Sequence, residues 1–185
     1  MLQLESGDGF PRLELSVMDA LEREIARLAE TAELRGAVIS GSEHAFAVGA
    51  EIAEVARLTP TSALAFSRRE HVLLGVIASS AKPVVAAIHG YCIGGGLDLA
   101  LACRARIAGD DAVFAHPGVT LGIITGWGGT QRLPRLIGRG RAMEMFVTGR
   151  RIRASEALTW GLVSAISADW ELIAGAIRMA RALAR

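Results

Sequence analysis

Three consecutive glycines, Gly94-Gly95-Gly96, constrain this chain more than any other feature, because of what lies on either side of them. Before them an apolar run extends from Val84 to Ile88, opened by Pro83 at the place where a missing N–H does least harm to a strand. After them Leu97, Leu99, Leu101 and Ala102 continue without a breaker, as a buried helix does. A strand that reaches glycines and then opens a helix leaves main-chain N–H groups unobstructed at the helix N-terminus. Those donors lack partners within the helix, and its dipole favours negative charge there. The alternative is a turn that needs glycine only for tight strand-to-helix packing. The spacing is not the Gly-x-Gly-x-x-Gly of a dinucleotide loop.

The same alternation runs through the rest of the chain. Met18, Leu21, Ile25 and Leu28 recur at helical spacing, so a helix is predicted from Ser16 to about Leu34, with Ser16 and Asp19 as its capping pair. Gly36 to Ser40 reads as a short buried strand. Ala45 to Val55, broken by Gly49, reads as a loop entering a short helix. Thr61-Ser62 after Pro60 caps a helix to about Ile77. Short strands are predicted at Arg106 to Ala108, Ala112 to Phe114 and Val163 to Ile166. Helices are predicted from Thr130 to Val147 with a break near Gly138, from Ser155 to Trp160, and from Ala168 to the end. Alternating strands and helices imply an α/β fold with a largely parallel sheet, and 1–185 needs only a single domain.

Composition narrows the function. Hydrophobic residues make up 51% and charged residues 21%, a globular balance that excludes a disordered chain. Twenty basic against nineteen acidic residues give +1 with no basic run, which argues against nucleic acid as a partner. Apolar stretches are interrupted by Gly, His or Asp, so no membrane span is predicted. There are two cysteines and no export-type N-terminus, so the expected compartment is cytoplasmic. No metal-ligand spacing stands out.

A second backbone feature is Phe46-Ala47-Val48-Gly49-Ala50-Glu51-Ile52, where small residues leave an N–H approachable; two such donors converging from separate segments make an oxyanion hole. Taken with Gly126-Trp127-Gly128-Gly129-Thr130-Gln131-Arg132-Leu133 and with Ala157 to Val163, these segments resemble the enoyl-CoA hydratase/isomerase (crotonase) superfamily. The resemblance implies a spiral of ββα repeats, assembly as a trimer or hexamer, and an acyl-CoA thioester substrate, with coenzyme A as part of the substrate and no separate cofactor. It places the enolate-holding amides at Ala50 and Gly95. Gly49, Ala50, Glu51, Ile52 and Ala53, together with Gly94, Gly118, Gly126 and Trp127, fall where the family lines its substrate path.

This sequence departs from the family pattern at the acid/base positions. Of two usual glutamates, the first falls at Asp98, shortened by one methylene, and the second falls at Gly118 and is absent. Hydration needs a base for water and an acid for the α-carbon, so an isomerase or another enolate-forming reaction such as decarboxylation stands beside hydratase. A catalytically degenerate CoA-ester-binding or assembly protein is the alternative of another class. His116, two residues from the gap, can titrate near neutrality or simply hold structure by a hydrogen bond. Trp127 either packs the core or narrows the acyl pocket. The ends are short relative to the family: an opening strand and the C-terminal trimerisation or lid helices are expected to be absent. Ile173, Ile177, Met179 and Leu183 would then need a cover.

Overall fold

Two sheets divide the strands between them in the computed structural model, which describes residues 1–184. The first contains β1 (Leu2–Gln3), β2 (Ala37–Ser40), β4 (Val84–Ile88), β6 (Ala105–Gly109) and β9 (Ala165–Ser167) in that spatial order, all parallel. The second contains β3 (Ala45–Ala47), β5 (Tyr91–Ile93), β7 (Val113–Ala115) and β8 (Ile152–Arg153), parallel except for the β7–β8 pair. Three times in succession, at β2–β3, β4–β5 and β6–β7, the chain lays one strand in the first sheet and the next in the second, then leaves through a helix. This is the expected spiral of ββα repeats.

The helices follow the apolar spacing. α1 (Leu15–Glu30) buries Met18, Leu21, Ile25 and Leu28, the four residues whose recurrence predicts it. Each contributes about 1.5–3 kcal/mol by leaving water. Its start has no side-chain cap: Ser16 lies inside the first turn, and Asp19 pairs instead with Arg69. After α2 (Ile52–Val55), α3 (Pro60–Ser79) begins two residues earlier than the Thr61-Ser62 expectation. There Thr59 and Ser62 form a reciprocal capping box around Pro60 at the first helical position. α4 (Gly95–Ala102) follows the glycines; α5 (Gly129–Ile137) and α6 (Arg139–Thr148) meet at the predicted break, Gly138. α7 (Ala154–Thr159) and α8 (Leu172–Leu183) complete the set.

Two further expectations change. The strand adjoining the glycines is β5, a separate element, because Gly90 turns the chain from the first sheet into the second between Ile88 and Tyr91. α8 folds back over the first sheet, and Ile173, Ile177 and Met179 pack there beside Val38, Val85 and Ile107. Of the four residues expected to need a cover, only Leu183 is exposed.

Candidate active site

The glycine junction and the Gly49 segment meet. Gly49 has φ +97°, a region that favours glycine, and a methyl group there would lie 3.0 Å from the Gly95 nitrogen and 3.2 Å from the Ile93 carbonyl oxygen. Only the bare backbone allows the two segments this approach. The Leu13 N–H donates to the Gly49 carbonyl at 2.8 Å and fixes the loop from the other side. The Ala50 and Gly95 amides donate to no protein acceptor among the described residues. Two free donors on adjoining segments, one at the head of α4, leave a place for a negatively charged oxygen.

Residues 51–53 run outward from this point. The Glu51 carboxylate accepts from the Ala53 N–H at 3.2 Å and pairs with Arg12 at 3.1 Å, while Ile52 and Ala53 are exposed. Trp127 packs against Gly95, where an added methyl group would run into its ring. The indole is buried, tilted on Phe66 with ring centres 5.6 Å apart, and its carbonyl accepts from Arg132 at 2.8 Å. Burial pushes the Arg132 guanidinium below its ordinary value, and the negative charge of Asp98 counters part of that shift. Trp127 packs in the core, the first of the two roles weighed for it, and its ring stands against Gly95. Gly94 supplies the φ of +54° that turns the chain into α4; Gly126 accepts from the Ser67 hydroxyl at 2.8 Å.

Asp98 is the one charged residue of α4, and the helix is buried from Gly96 to Ala102. Its carboxylate accepts from the Thr125 hydroxyl on one oxygen. The other oxygen lies 3.3 Å from His116 Nε2 and abuts Gly129, where a methyl group would fall 2.0 Å away. The Trp127 N–H donates to the Thr125 hydroxyl at 3.3 Å, which links the wall to the carboxylate. Thr125 as a partner of Asp98 is absent from the sequence-based assignment, because the contact joins residues 27 positions apart. Gly118 stands in a single 3₁₀ turn, Pro117–Leu121, and brings no side chain.

Cys92 and Cys103 are both buried, and burial raises the Cys92 thiol well above its usual range and pushes Cys103 up to about 12. Neither is a nucleophile at neutral pH. Among the described residues no group of three potential metal ligands occurs.

The enoyl-CoA hydratase/isomerase family model matches residues 12–185. The chain belongs to this family. Its fold superimposes on an enoyl-CoA hydratase from Bacillus anthracis with a TM-score of 0.92 and 37% identity, covering 98% of this chain and 71% of that one. It superimposes on Pseudomonas aeruginosa DspI with a TM-score of 0.93 and 30% identity, covering 99% and 75%. The fatty acid oxidation complex subunit alpha of Shewanella baltica is 43% identical over 162 residues, which are 85% of this chain and 23% of that protein. The chain thus spans about a quarter of such curated relatives. In this chain the Asp98 carboxylate touches a hydroxyl and an imidazole.

Proposed function

We propose that the chain is an enoyl-CoA hydratase-type enzyme acting on acyl-CoA thioesters, with Ala50 and Gly95 holding the thioester oxygen as an enolate and Asp98 carrying the proton. The observation that supports it is the pair of unengaged amides side by side across Gly49, beside a buried carboxylate on the same helix as one of them. Charge on the thioester oxygen grows in the transition state, and removing one such donor costs about 3–4 kcal/mol. In hydration, Asp98 takes a proton from water as its oxygen adds to the β-carbon. The electron pair of the double bond moves onto the thioester oxygen, and Asp98 returns its proton to the α-carbon. Trp127 bounds the acyl site; Glu51, Ile52 and Ala53 line the path toward CoA.

The missing carboxylate at Gly118 favours a second reading, migration of the double bond, because one base suffices to move a proton between two carbons. The name of the Shewanella relative makes fatty-acyl chains the first substrates to try. A cytoplasmic location and a homo-oligomer, trimer or hexamer, belong to the same proposal. No described helix is long and apolar enough to cross a membrane. Val119, Leu121, Ile123 and Ile124 beside the 3₁₀ turn, with Met143 and Val147 of α6, are exposed apolar residues suited to a subunit contact.

A panel of short and medium enoyl-CoA esters, followed by mass and retention time, separates gain of water, silent isomerisation and loss of carbon dioxide. Asp98→Asn is expected to lower kcat on the order of 10²-fold or more. Wild-type turnover that Asp98→Asn leaves intact would remove Asp98 from its role, and no turnover on any ester would favour the degenerate binding protein.

A further inference from the structure

Among the described residues the buried polar and charged side chains are Ser40, Glu70, Asp98, Arg106 and His116. Arg106 is satisfied by the carbonyls of Leu162, Ala100 and Cys103. Asp98 and His116 instead confront each other. His116 is 4% exposed and Asp98 1%, their nearest atoms are 3.3 Å apart, and neither Asp98 Oδ1 nor His116 Nε2 has an aligned hydrogen bond. Two buried polar atoms left this close and unbonded are costly unless they share a proton.

Packing holds the imidazole in place. His116 follows the end of β7 in the second sheet and caps the 3₁₀ turn, with Pro117 next in the chain. Its ring lies tilted on Phe146 of α6, ring centres 5.2 Å apart. Asp98 is held just as firmly, by Thr125 on one oxygen and the Gly129 backbone against the other. The charged and titratable groups around the pair are Arg132 on α5, whose charge feels Asp98, and the Cys92 thiol on β5. Among the described residues no second carboxylate forms a salt bridge or hydrogen bond with either one.

We propose that His116 is the positioning partner of Asp98 in proton transfer, donating its Nε2–H to Asp98 Oδ1 and so fixing and charge-balancing the carboxylate while a proton moves between Asp98 and the acyl group. The inference rests on the acid/base role proposed above for Asp98. The step is simple: Asp98 accepts a proton and becomes neutral as the enolate forms, then gives the proton back. His116 keeps its Nε2 proton throughout. A neighbouring carboxylate could not act in this way, since it has no donor to offer an ionised Asp98.

The test has two arms. His116→Phe, which keeps the ring against Phe146, is expected to lower kcat about 10- to 100-fold with little change in KM. It should also move the acid limb of the kcat/KM profile to higher pH, because a buried carboxylate without that donor is harder to form. His116→Gln, whose amide can still donate, should recover part of the rate, and it decides the matter if the Phe variant fails to fold. In an Asp98→Asn background the His116 change should cost much less than in wild type. A wild-type profile in both His116 variants, or fully additive losses, would overturn the proposal.

The second arm does not depend on turnover. In protein labelled with 15N-histidine, the His116 ring Nε2–H resonance is expected to shift in Asp98→Asn, and an unchanged resonance would overturn the pairing. Failure of the whole ester panel would instead count against the acyl-CoA reading while leaving this arm to decide for the pair.

Discussion

Gly118 and Glu70 are single positions where local geometry decides what a substitution does. A side chain at Gly118 must start from a Cβ that would lie 2.7 Å from the Ile123 carbonyl oxygen, and the Ile123 N–H donates to the Gly118 carbonyl at 3.0 Å. The obstacle is backbone and is tied down, so Trp127 is not what a new glutamate would first meet. We expect Gly118→Glu to cost about 1–3 kcal/mol of stability by overpacking, and Trp127→Ala to give no relief, the two losses adding in thermal melts. Strong non-additivity would put the indole back in the way. Glu70 is fully buried on α3, neither carboxylate oxygen has a partner among the described residues, and burial raises its proton affinity above that of an ordinary glutamate. In the unfolded chain Glu70 ionises at its ordinary value while the fold still holds the proton. Its contribution to stability therefore falls as pH rises through that window, and levels off once the folded group also ionises. Glu70→Leu should raise stability at neutral pH by about 1–3 kcal/mol and flatten that slope, as read from melts between mildly acidic and neutral pH. A less stable leucine variant would mean that the carboxyl has a partner in solution.

At the scale of elements, Lys82, the only lysine, ties the first helix to the sheet. Its Nζ donates to the carbonyls of Leu28 and Thr31, both at 2.7 Å, and of Ala29 at 3.3 Å, at the C-terminal end of α1, while Lys82 itself lies two residues before the start of β4. A cation there complements the helix dipole and satisfies carbonyls that lack helical partners. Lys82→Met should cost about 1–3 kcal/mol and increase hydrogen exchange in the last turn of α1 before it affects β4; uniform exchange would show that Lys82 is not a local clasp. α1, α3 and α4 were legible in the sequence because their spacing or punctuation is local: four apolar residues at intervals of three and four, Pro60 at a helix start, and three glycines before a leucine run. β3 and β5 were not. Each is three residues long, and each is extended because parallel neighbours supply its hydrogen bonds, which no window of the sequence records. The site divides in the same way. Glycines that allow close approach leave a sequence mark, so Gly49 and Gly95 could be chosen; the contacts of Thr125 and His116 with Asp98 join residues far apart in the chain and had no such mark.

For the whole molecule, the question is which apolar surface remains for a second subunit. Two cores exist: a large one between the sheets and the helices α1 and α3 to α7, and a smaller one between the first sheet and α8, built on Val38, Val85, Ala87, Ile107, Leu172 and Ala176. α8 lies so close to the sheet that a methyl group on Gly175 would sit 2.9 Å from the Ile107 side chain, and Ala176 is fully buried. That face is internal and unavailable for assembly. Among the exposed apolar residues, those around the 3₁₀ turn and along α6 lie on two segments joined where Val119 and Pro117 pack against Gly149. Two aspartates placed on the two faces should therefore behave differently. Ala176→Asp buries an unpaired charge and should cost about 3–5 kcal/mol, enough to abolish cooperative melting in a domain of ordinary stability. Ile124→Asp, at a residue 63% exposed, should leave each subunit folded but lower the mass measured by light scattering at micromolar concentration, because the charge would have to be desolvated in a subunit contact. If Ile124→Asp leaves the mass unchanged, the contact does not run through this loop. If wild type is itself a monomer, the homo-oligomer is withdrawn and the exposed residues need another explanation, while the Ala176 result would still test whether α8 belongs to the core.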